Sequence, residues 1–530
     1  MDQTIDLFII GGGINGCAIA RDAVGRGLTV TLAEQADLAQ ATSSASTKLF
    51  HGGLRYLEYF EFRLVREALQ ERETLLAAMP HICWPMRFVL PLSPDMRFDS
   101  TTPTSRLLGI FMPWLKGRRP NWLIRLGLFF YDTLGGRAIL PGTAKLDLAS
   151  DPAGKPLKPI YKTAYEYSDC WVEDSRLVAL TARDAAERGA TILTQTRVSH
   201  ATRFGDHWAI TTETSAGTQT HHARAIVNAA GPFVSAVMKD VLPTTSKEAV
   251  RLVRGSHIVT AKLYDHDRCY FFQGTDGRII FAIPYERDFT LIGTTDAEHL
   301  GKPGEVAITE AERAYLITFA NQYFRTAIST ADVIWAYSGV RPLYADGAKS
   351  ATAATRDYVL SLDPAPHSGH QPDPTNIAPI LNIFGGKITT HRRLAEHALA
   401  KLARFFPQMS PAWTARVPLP GGNFPLAAKA QLTEDLRAKH SYLAPPHAER
   451  LIRAYGTDAF LILGQTTTAE ALGLDFGASL TEAEVRWLAT HEFAKHASDV
   501  VWRRSKLGLR MTQAEVEGLE RWMVGERKKT

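Results

Sequence analysis

From Ile5 to Glu34 a strand-like run, three spaced glycines and an acid follow one another in an order that admits one local architecture. Ile5–Ile10 is rich in Ile and reads as a buried strand. It runs straight into Gly11, Gly13 and Gly16, with Ile14 and Asn15 between the last two. A helix is predicted over Cys17–Arg26, closed by Gly27, then a second strand over Leu28–Ala33 that ends at Glu34. Each residue has a physical task. Gly11 permits a tight turn, Gly13 lets backbone approach a pyrophosphate, and Gly16 lets the helix pack on the strand. The helix N-terminus attracts phosphate charge, and Glu34 is placed to accept from a ribose diol. A free 2′-hydroxyl is implied, hence FAD or NAD rather than NADP.

The hydroxyl-rich loop Ala41–Tyr56 comes next and suits further phosphate and flavin contacts. Leu64, Val65, Ala68, Leu69, Leu75 and Leu76 then recur at helical spacing and read as core. Two more apolar strands close on glycines far downstream, Ala225–Pro232 (AIVNAAGP) and Ile383–Thr390 (IFGGKITT). Three such strand ends, widely separated, predict a discontinuous cofactor domain. NAD domains are usually contiguous, so FAD is the expected cofactor.

The blocks GGGINGCAIARDAVGRGL, TSSASTKLFHGGLRYLE, EYSDCWVEDSRLV, RLVRGSHIV, IGTTD, YSGVRPL, TRDY and FGGKITTHRRLAEHAL resemble the FAD-dependent glycerol-3-phosphate dehydrogenase family, its bacterial aerobic respiratory members above all. The resemblance runs in order to about Ala395 and is looser beyond, where LGLDFG and AEVRWL are the landmarks. It implies an α/β fold with α+β inserts: a Rossmann-like FAD-binding domain of the D-amino-acid/glycine oxidase type, a β-rich substrate domain and a C-terminal helical domain. The expected cofactor domain spans 1–80, 170–240 and 335–400. Residues 81–169 and 241–334 form the substrate domain with a membrane-contact segment, and 411–530 the helical domain.

The resemblance implies oxidation of sn-glycerol 3-phosphate to dihydroxyacetone phosphate, with electrons passed to ubiquinone or menaquinone. Arginine's planar fork suits a phosphate dianion, and Arg55, Arg341 and Arg356 are assigned to the substrate pocket, the last two as the phosphate ligands. His257 is the leading base or hydroxyl-binding candidate. Lys387 stabilises reduced flavin or serves as the base, and Tyr56 hydrogen-bonds a substrate oxygen. Thr294, Thr295 and Asp296 read either as substrate contacts or as a strand-to-loop turn. Expected cofactor contacts, beyond Gly11, Gly13, Ile14, Asn15, Gly16 and Glu34, come from Thr42, Ser43, Ser46, Lys48, His51 and Gly52 in the hydroxyl loop. Val198, Ala229, Gly231, Gly339, Arg341, Gly385, Gly386, Lys387 and Thr389 complete the set.

The chain has 530 residues, too many for one ordinary core. Its 60 basic and 55 acidic side chains leave +5, too little and too dispersed to imply nucleic acid. Cys17, Cys83, Cys170 and Cys269 are far apart, so neither a disulfide scaffold nor a zinc ribbon is expected, and a reducing cytosol fits. HEFAKH, His491 to His496, mimics a zinc motif, but its histidines sit five apart, roughly 140° around a helix instead of roughly 40°. No metal is expected. Capping boxes are predicted at Thr481–Glu484 and Thr512–Glu515.

The N-terminus is no signal peptide, and no apolar stretch is long enough to span a bilayer. Between Arg97 and Arg137, Leu107, Leu108, Ile110, Phe111, Met112, Trp114, Trp122, Leu123, Leu126, Phe129 and Phe130 mix with Arg106, Lys116, Arg118, Arg119 and Arg125. That mixture suits an anionic bilayer surface or, equally, a domain-packing or dimer interface. The expected setting is peripheral, on the cytoplasmic face of the inner membrane with a soluble cytoplasmic fraction allowed, and the expected assembly is a homodimer. Competing readings are an oxygen-using glycerol-3-phosphate oxidase, an amino-acid oxidase of the same superfamily, and a non-catalytic FAD-binding module.

Overall fold

Ile5–Ile10 has Leu7, Phe8 and Ile9 fully buried, because neighbours cover both its faces. It pairs in parallel with Val30–Ala33 on one side (Ile9 opposite Leu32) and with Gly217–Asn228 on the other (Leu7 opposite Ala225). A sheet parallel at its centre and covered on both faces wants continuous apolar strands, which these are. The computed structural model describes residues 4–93, 104, 120–136, 138–244, 246, 248–274, 277–345, 357–363 and 377–528.

The first sheet has eight strands. Its main path runs Val359–Asp363, Ile380–Phe384, Gly217–Asn228, Ile5–Ile10, Val30–Ala33, Thr191–Leu193. The hairpin Arg197–Phe204 and His207–Thr214 extends antiparallel from Gly217–Asn228. Helices Ile14–Gly25, Asp174–Glu187 and His391–Leu402 pack on it around a core that includes Ile9, Cys17, Ile19, Val178 and Leu394. The cofactor unit is therefore assembled from distant stretches of chain, as expected.

Two element ends differ from the sequence reading. The first helix begins at Ile14, three residues early, because Ser43 Oγ accepts from the Ile14 amide (3.0 Å) and so supplies the cap that Gly13 cannot. The second strand begins at Val30, because Thr29 exchanges hydrogen bonds with Asp6 across the sheet's end.

The second sheet has ten strands and is mostly antiparallel. Val333–Tyr344, expected in the cofactor domain, lies here instead, paired along its length with Val250–Ala261. The short strand Leu49–Phe50 joins the same sheet.

The C-terminal helices carry their own core of Leu436, Leu451, Ile452, Val485, Leu488, Val500, Val501 and Leu519. At Thr512 the capping box forms, with Thr512 Oγ1 accepting from the Glu515 amide (3.3 Å) and Glu515 from the Thr512 amide (2.7 Å). At Thr481 it does not. Glu484 is buried and held by Arg450 (2.6 and 2.7 Å) and the Tyr455 hydroxyl (2.7 Å), and a buried bidentate pair outweighs a cap. His491 ends its helix and His496 faces Glu520 (2.9 Å), so the two histidines of HEFAKH lie on different elements. Among the described residues, no helix is long and apolar enough to cross a membrane.

Candidate active site

The turn after Ile5–Ile10 is built for backbone contact. A Cβ on Gly16 would lie 2.0 Å from Gly11 O, so helix and strand meet where no side chain fits. Gly11 has φ +110°, and its Cβ would stand 2.7 Å from Ala229 O. Ala229 donates back to Ile10 O (2.9 Å), joining the two strand ends. Glu34 accepts from the amides of Gly12 (2.7 Å) and Ala36 (2.9 Å), and burial pushes its carboxyl above the usual range. Gly12 was not singled out in the sequence; a Cβ there would meet Glu34 Cβ at 2.8 Å. Val198 is buried beside Ala33 and Ala230, past the acid, and Gly231 opens the turn that follows Ala229.

The hydroxyl loop crosses from this turn to the second sheet. Thr42 Oγ1 donates to Val340 O (2.5 Å), and Ser43 caps the helix as described. Ser46 Oγ donates to Asp174 (2.8 Å). Lys48 is fully buried, its ammonium paired with Asp174 (2.8 Å), so its charge is spent within the protein. His51 is half-buried, and the Gly52 amide donates to Tyr131 Oη (2.7 Å). Thr47, which the sequence reading passed over within the quoted loop, places Oγ1 3.0 Å from His257 Nε2.

Asn15, Gly385, Gly386 and Lys387 close the ring of contacts. Asn15 Nδ2 donates to Gly385 O (3.2 Å), while its buried Oδ1 has no partner among the described residues. Gly386 has φ +101°, and its Cβ would press on Asn15 Nδ2 at 3.0 Å. Among the described residues Lys387 Nζ has no acceptor, and it lies 3.8 Å above the Tyr56 ring. Arg55 and Tyr56 stand on the turn Leu54–Tyr59, and Thr389 is buried in the turn Ile388–Thr390.

The reacting end is laid out on two paired strands. His257 faces Tyr337, Gly255 faces Gly339, and Val253 faces Arg341. Residues two apart share a face, so the Gly255–Gly339 pair makes a side-chain-free floor beside His257, with Thr294 Oγ1 2.7 Å from where a Gly255 Cβ would sit. The Arg341 guanidinium folds back over that floor, with Nη2 2.8 Å from where a Gly255 Cβ would sit. Arg341 also donates to Thr295 O (2.8 Å). Ala45 covers the Gly339 end, 2.6 Å from the site of its missing Cβ. Thr295 and Ser256 are held by the buried Glu312 (2.8 and 3.0 Å), so the Thr294–Asp296 cluster is a braced turn under Arg341. Burial, reinforced by the cations Lys48 and Arg341, holds the His257 pKa well below its ordinary value. That favours the uncharged imidazole, whose Nδ1 has no hydrogen-bond partner among the described residues. Arg356 lies outside the described residues, as does most of the 97–137 segment.

The unpartnered Asn15 Oδ1, Lys387 Nζ and His257 Nδ1, with the side-chain-free glycine turns, fit a dinucleotide carrying a ring system between the two sheets. Fold and site together define a FAD-dependent oxidoreductase.

Comparison with known proteins agrees. The family profile described as "FAD dependent oxidoreductase" matches residues 6–362, and that described as "C-terminal domain of alpha-glycerophosphate oxidase" matches 412–523. The D-erythritol 1-phosphate dehydrogenase of Brucella abortus is 49% identical over 522 residues, covering 98% of each chain. The glycerol-3-phosphate dehydrogenase of Pseudomonas aeruginosa is 46% identical over 525 residues, covering 99% of this chain and 96% of the other. The crystal structure of the Bacillus halodurans glycerol-3-phosphate dehydrogenase complexed with FAD superposes with a TM-score of 0.73 at 23% identity, covering 100% of this chain and 92% of that one. The chain belongs to the FAD-dependent glycerol-3-phosphate dehydrogenase family of flavoprotein oxidoreductases.

Proposed function

We propose that this protein oxidises sn-glycerol 3-phosphate to dihydroxyacetone phosphate and passes the electrons to a membrane quinone. The observation that carries the reading is the side-chain-free Gly255–Gly339 pair, with the His257 imidazole on one side and the Arg341 guanidinium and Thr294 Oγ1 packed over Gly255. Bound FAD supplies the two-electron acceptor for the hydride leaving the secondary carbon. Arg341, with Arg55 and Arg356, binds the phosphate dianion. His257 takes the hydroxyl proton, and Thr47 orients the ring through its hydrogen bond. Lys387 and Tyr56 face one another at the flavin end, where a cation favours negative charge on a reduced ring.

A second reading of the substrate is favoured by the Brucella relative at 49% identity. D-Erythritol 1-phosphate is likewise a phosphorylated polyol with secondary alcohols. Initial rates with glycerol 3-phosphate, D-erythritol 1-phosphate and unphosphorylated glycerol, each with a quinone analogue or oxygen as acceptor, test both readings. Turnover only with phosphorylated polyols and the quinone analogue is expected. Equal rates with glycerol would remove the phosphate clamp, and preference for oxygen would make the protein an oxidase.

Docking to an anionic membrane is supported by one helix face. Trp122, Leu126, Phe129 and Phe130 of Asn121–Leu134 are exposed, beside the stacked pair Phe60–Phe62 that directly follows the Tyr56 turn. An exposed aromatic cluster of this kind marks an interaction surface. The protein then works as a peripheral homodimer on the cytoplasmic face of the inner membrane, with this face turned to lipid.

A further inference from the structure

The six-residue π-turn Asp499–Arg504 belongs to the C-terminal helical core through Val500 and Val501, both fully buried. Its other side chains reach out of that core in two directions. Arg504 is buried and donates from both terminal nitrogens to Asp37 (2.8 Å each), and Arg503 joins the same carboxylate. Asp37 stands three residues after Glu34, in the loop that follows the ribose acid. Trp502 points the other way and stacks on Trp335, with ring centroids 4.6 Å apart and planes 14° apart.

Trp335 is the first ring of a ladder that ends at the reacting group. It packs against Tyr337, two residues along the same strand face, at 5.0 Å. Tyr337 lies flat on the His257 imidazole at 4.7 Å and 12°. The Tyr337 hydroxyl donates to Ser46 O (2.8 Å), next to Thr47, which contacts the other edge of the imidazole. The plane of His257 is thus fixed by a ring stack whose outer end is a residue of the C-terminal region. Single turns of π-helix recur at functional sites, and this one touches the nucleotide loop and the catalytic strand pair from one place.

We propose that Trp502 is a positioning residue: through Trp335 and Tyr337, the C-terminal region holds the His257 imidazole at the angle at which it accepts the substrate's hydroxyl proton. This rests on His257 being the proton acceptor, as proposed above. Two rings, Trp335 and Tyr337, separate Trp502 from the His257 imidazole. Its effect is on the orientation of a reacting group, to which rate is steeply sensitive.

The test uses full-length, FAD-loaded protein, with the phosphorylated polyol that turns over as substrate. Flavin reduction is followed by rapid mixing for wild type, Trp502→Ala, Trp502→Phe and His257→Asn. At equal FAD occupancy, W502A is expected to reduce flavin about tenfold more slowly with KM changed by less than about twofold. W502F, which keeps a stacked ring, is expected to restore most of the rate. Should the alanine variant fail to hold FAD, Trp502→Leu restores part of the lost volume without a ring to stack and is read in the same way. Wild-type rates in W502A or W502L alongside a slow H257N would overturn the positioning role and leave the base in place. A wild-type rate in H257N would locate the failure in the base assignment, and the inference would fall with it.

Discussion

Gly16→Ala puts the dinucleotide reading at greatest risk. The new methyl carbon would stand 2.0 Å from Gly11 O, 3.2 Å from Gly11 C and 3.4 Å from Ile9 Cγ2. Even a weak C–H···O contact keeps carbon and oxygen about 3.3 Å apart, so the helix start and the Gly11 turn must separate by about 1 Å. The colliding atoms are backbone, and no flexible side chain can give way. Overpacking of this kind costs about 1–3 kcal/mol, and a backbone clash belongs at the upper end. The same shift moves the amides of Gly13 and Ile14. Losing one charge-assisted hydrogen bond to phosphate costs a further ~1.5–3 kcal/mol, which weakens FAD binding by roughly 10- to 100-fold. Thermal unfolding and FAD titration by flavin fluorescence measure the two effects separately. Gly127→Ala, in mid-helix with open space around its Cβ position, is the matched control: it should leave FAD binding unchanged and, through helix propensity, stabilise the fold by up to about 1 kcal/mol. A G16A protein that purifies yellow, fully loaded and as heat-stable as wild type would refute the reasoning.

Lys48→Met leaves the Asp174 carboxylate buried without its cation, since both side chains are fully covered, and should destabilise the fold by about 3–5 kcal/mol. Lys48→Met with Asp174→Leu should recover much of that in thermal melts; a harmless single variant would deny the pair a structural role. His391 is buried and its pKa is held down to about 4 by desolvation, against an ordinary 6.5. The unfolded chain therefore takes up this proton first. The stabilising contribution is complete above pH 6.5 and drains away as pH falls towards about 4, by about 3 kcal/mol in all. His391→Asn should flatten that part of the stability–pH curve, and an unchanged slope would exclude His391 as its source. Trp122→Glu with Phe129→Glu should reduce co-sedimentation with vesicles containing anionic lipid. Unchanged binding would move the docking surface away from this helix.

The cofactor turn was legible because its parts are neighbours in sequence: strand, glycines, helix and Glu34 occupy thirty residues, and local sterics dictate their order. The candidate base was found through its block, since nothing about a lone histidine flanking an apolar strand marks it as reactive. The surroundings of His257 lie far off in sequence. Thr47 is 210 residues away, and Tyr337 reaches it only through strand pairing. Lys48 reads only as a cofactor contact of its loop until its partner is known, and Asp174 is 126 residues distant. The same blindness placed Val333–Tyr344 in the wrong sheet, because apolar alternation fixes a strand but not its partner. It also promised a cap at Thr481, where tertiary pairing of Glu484 with Arg450 prevails over a local hydrogen bond. The Gly255–Gly339 floor could not be seen at all before the register was known.

The central claim is that a tightly held flavin lies within reach of a phosphorylated polyol bound between Arg341 and His257. Anaerobic mixing of the purified protein with glycerol 3-phosphate, and separately with D-erythritol 1-phosphate, tests it most directly. The account predicts a yellow protein whose visible flavin band is lost on mixing with at least one of them. A colourless protein that takes up no FAD, or a flavin band unmoved by both, would contradict it.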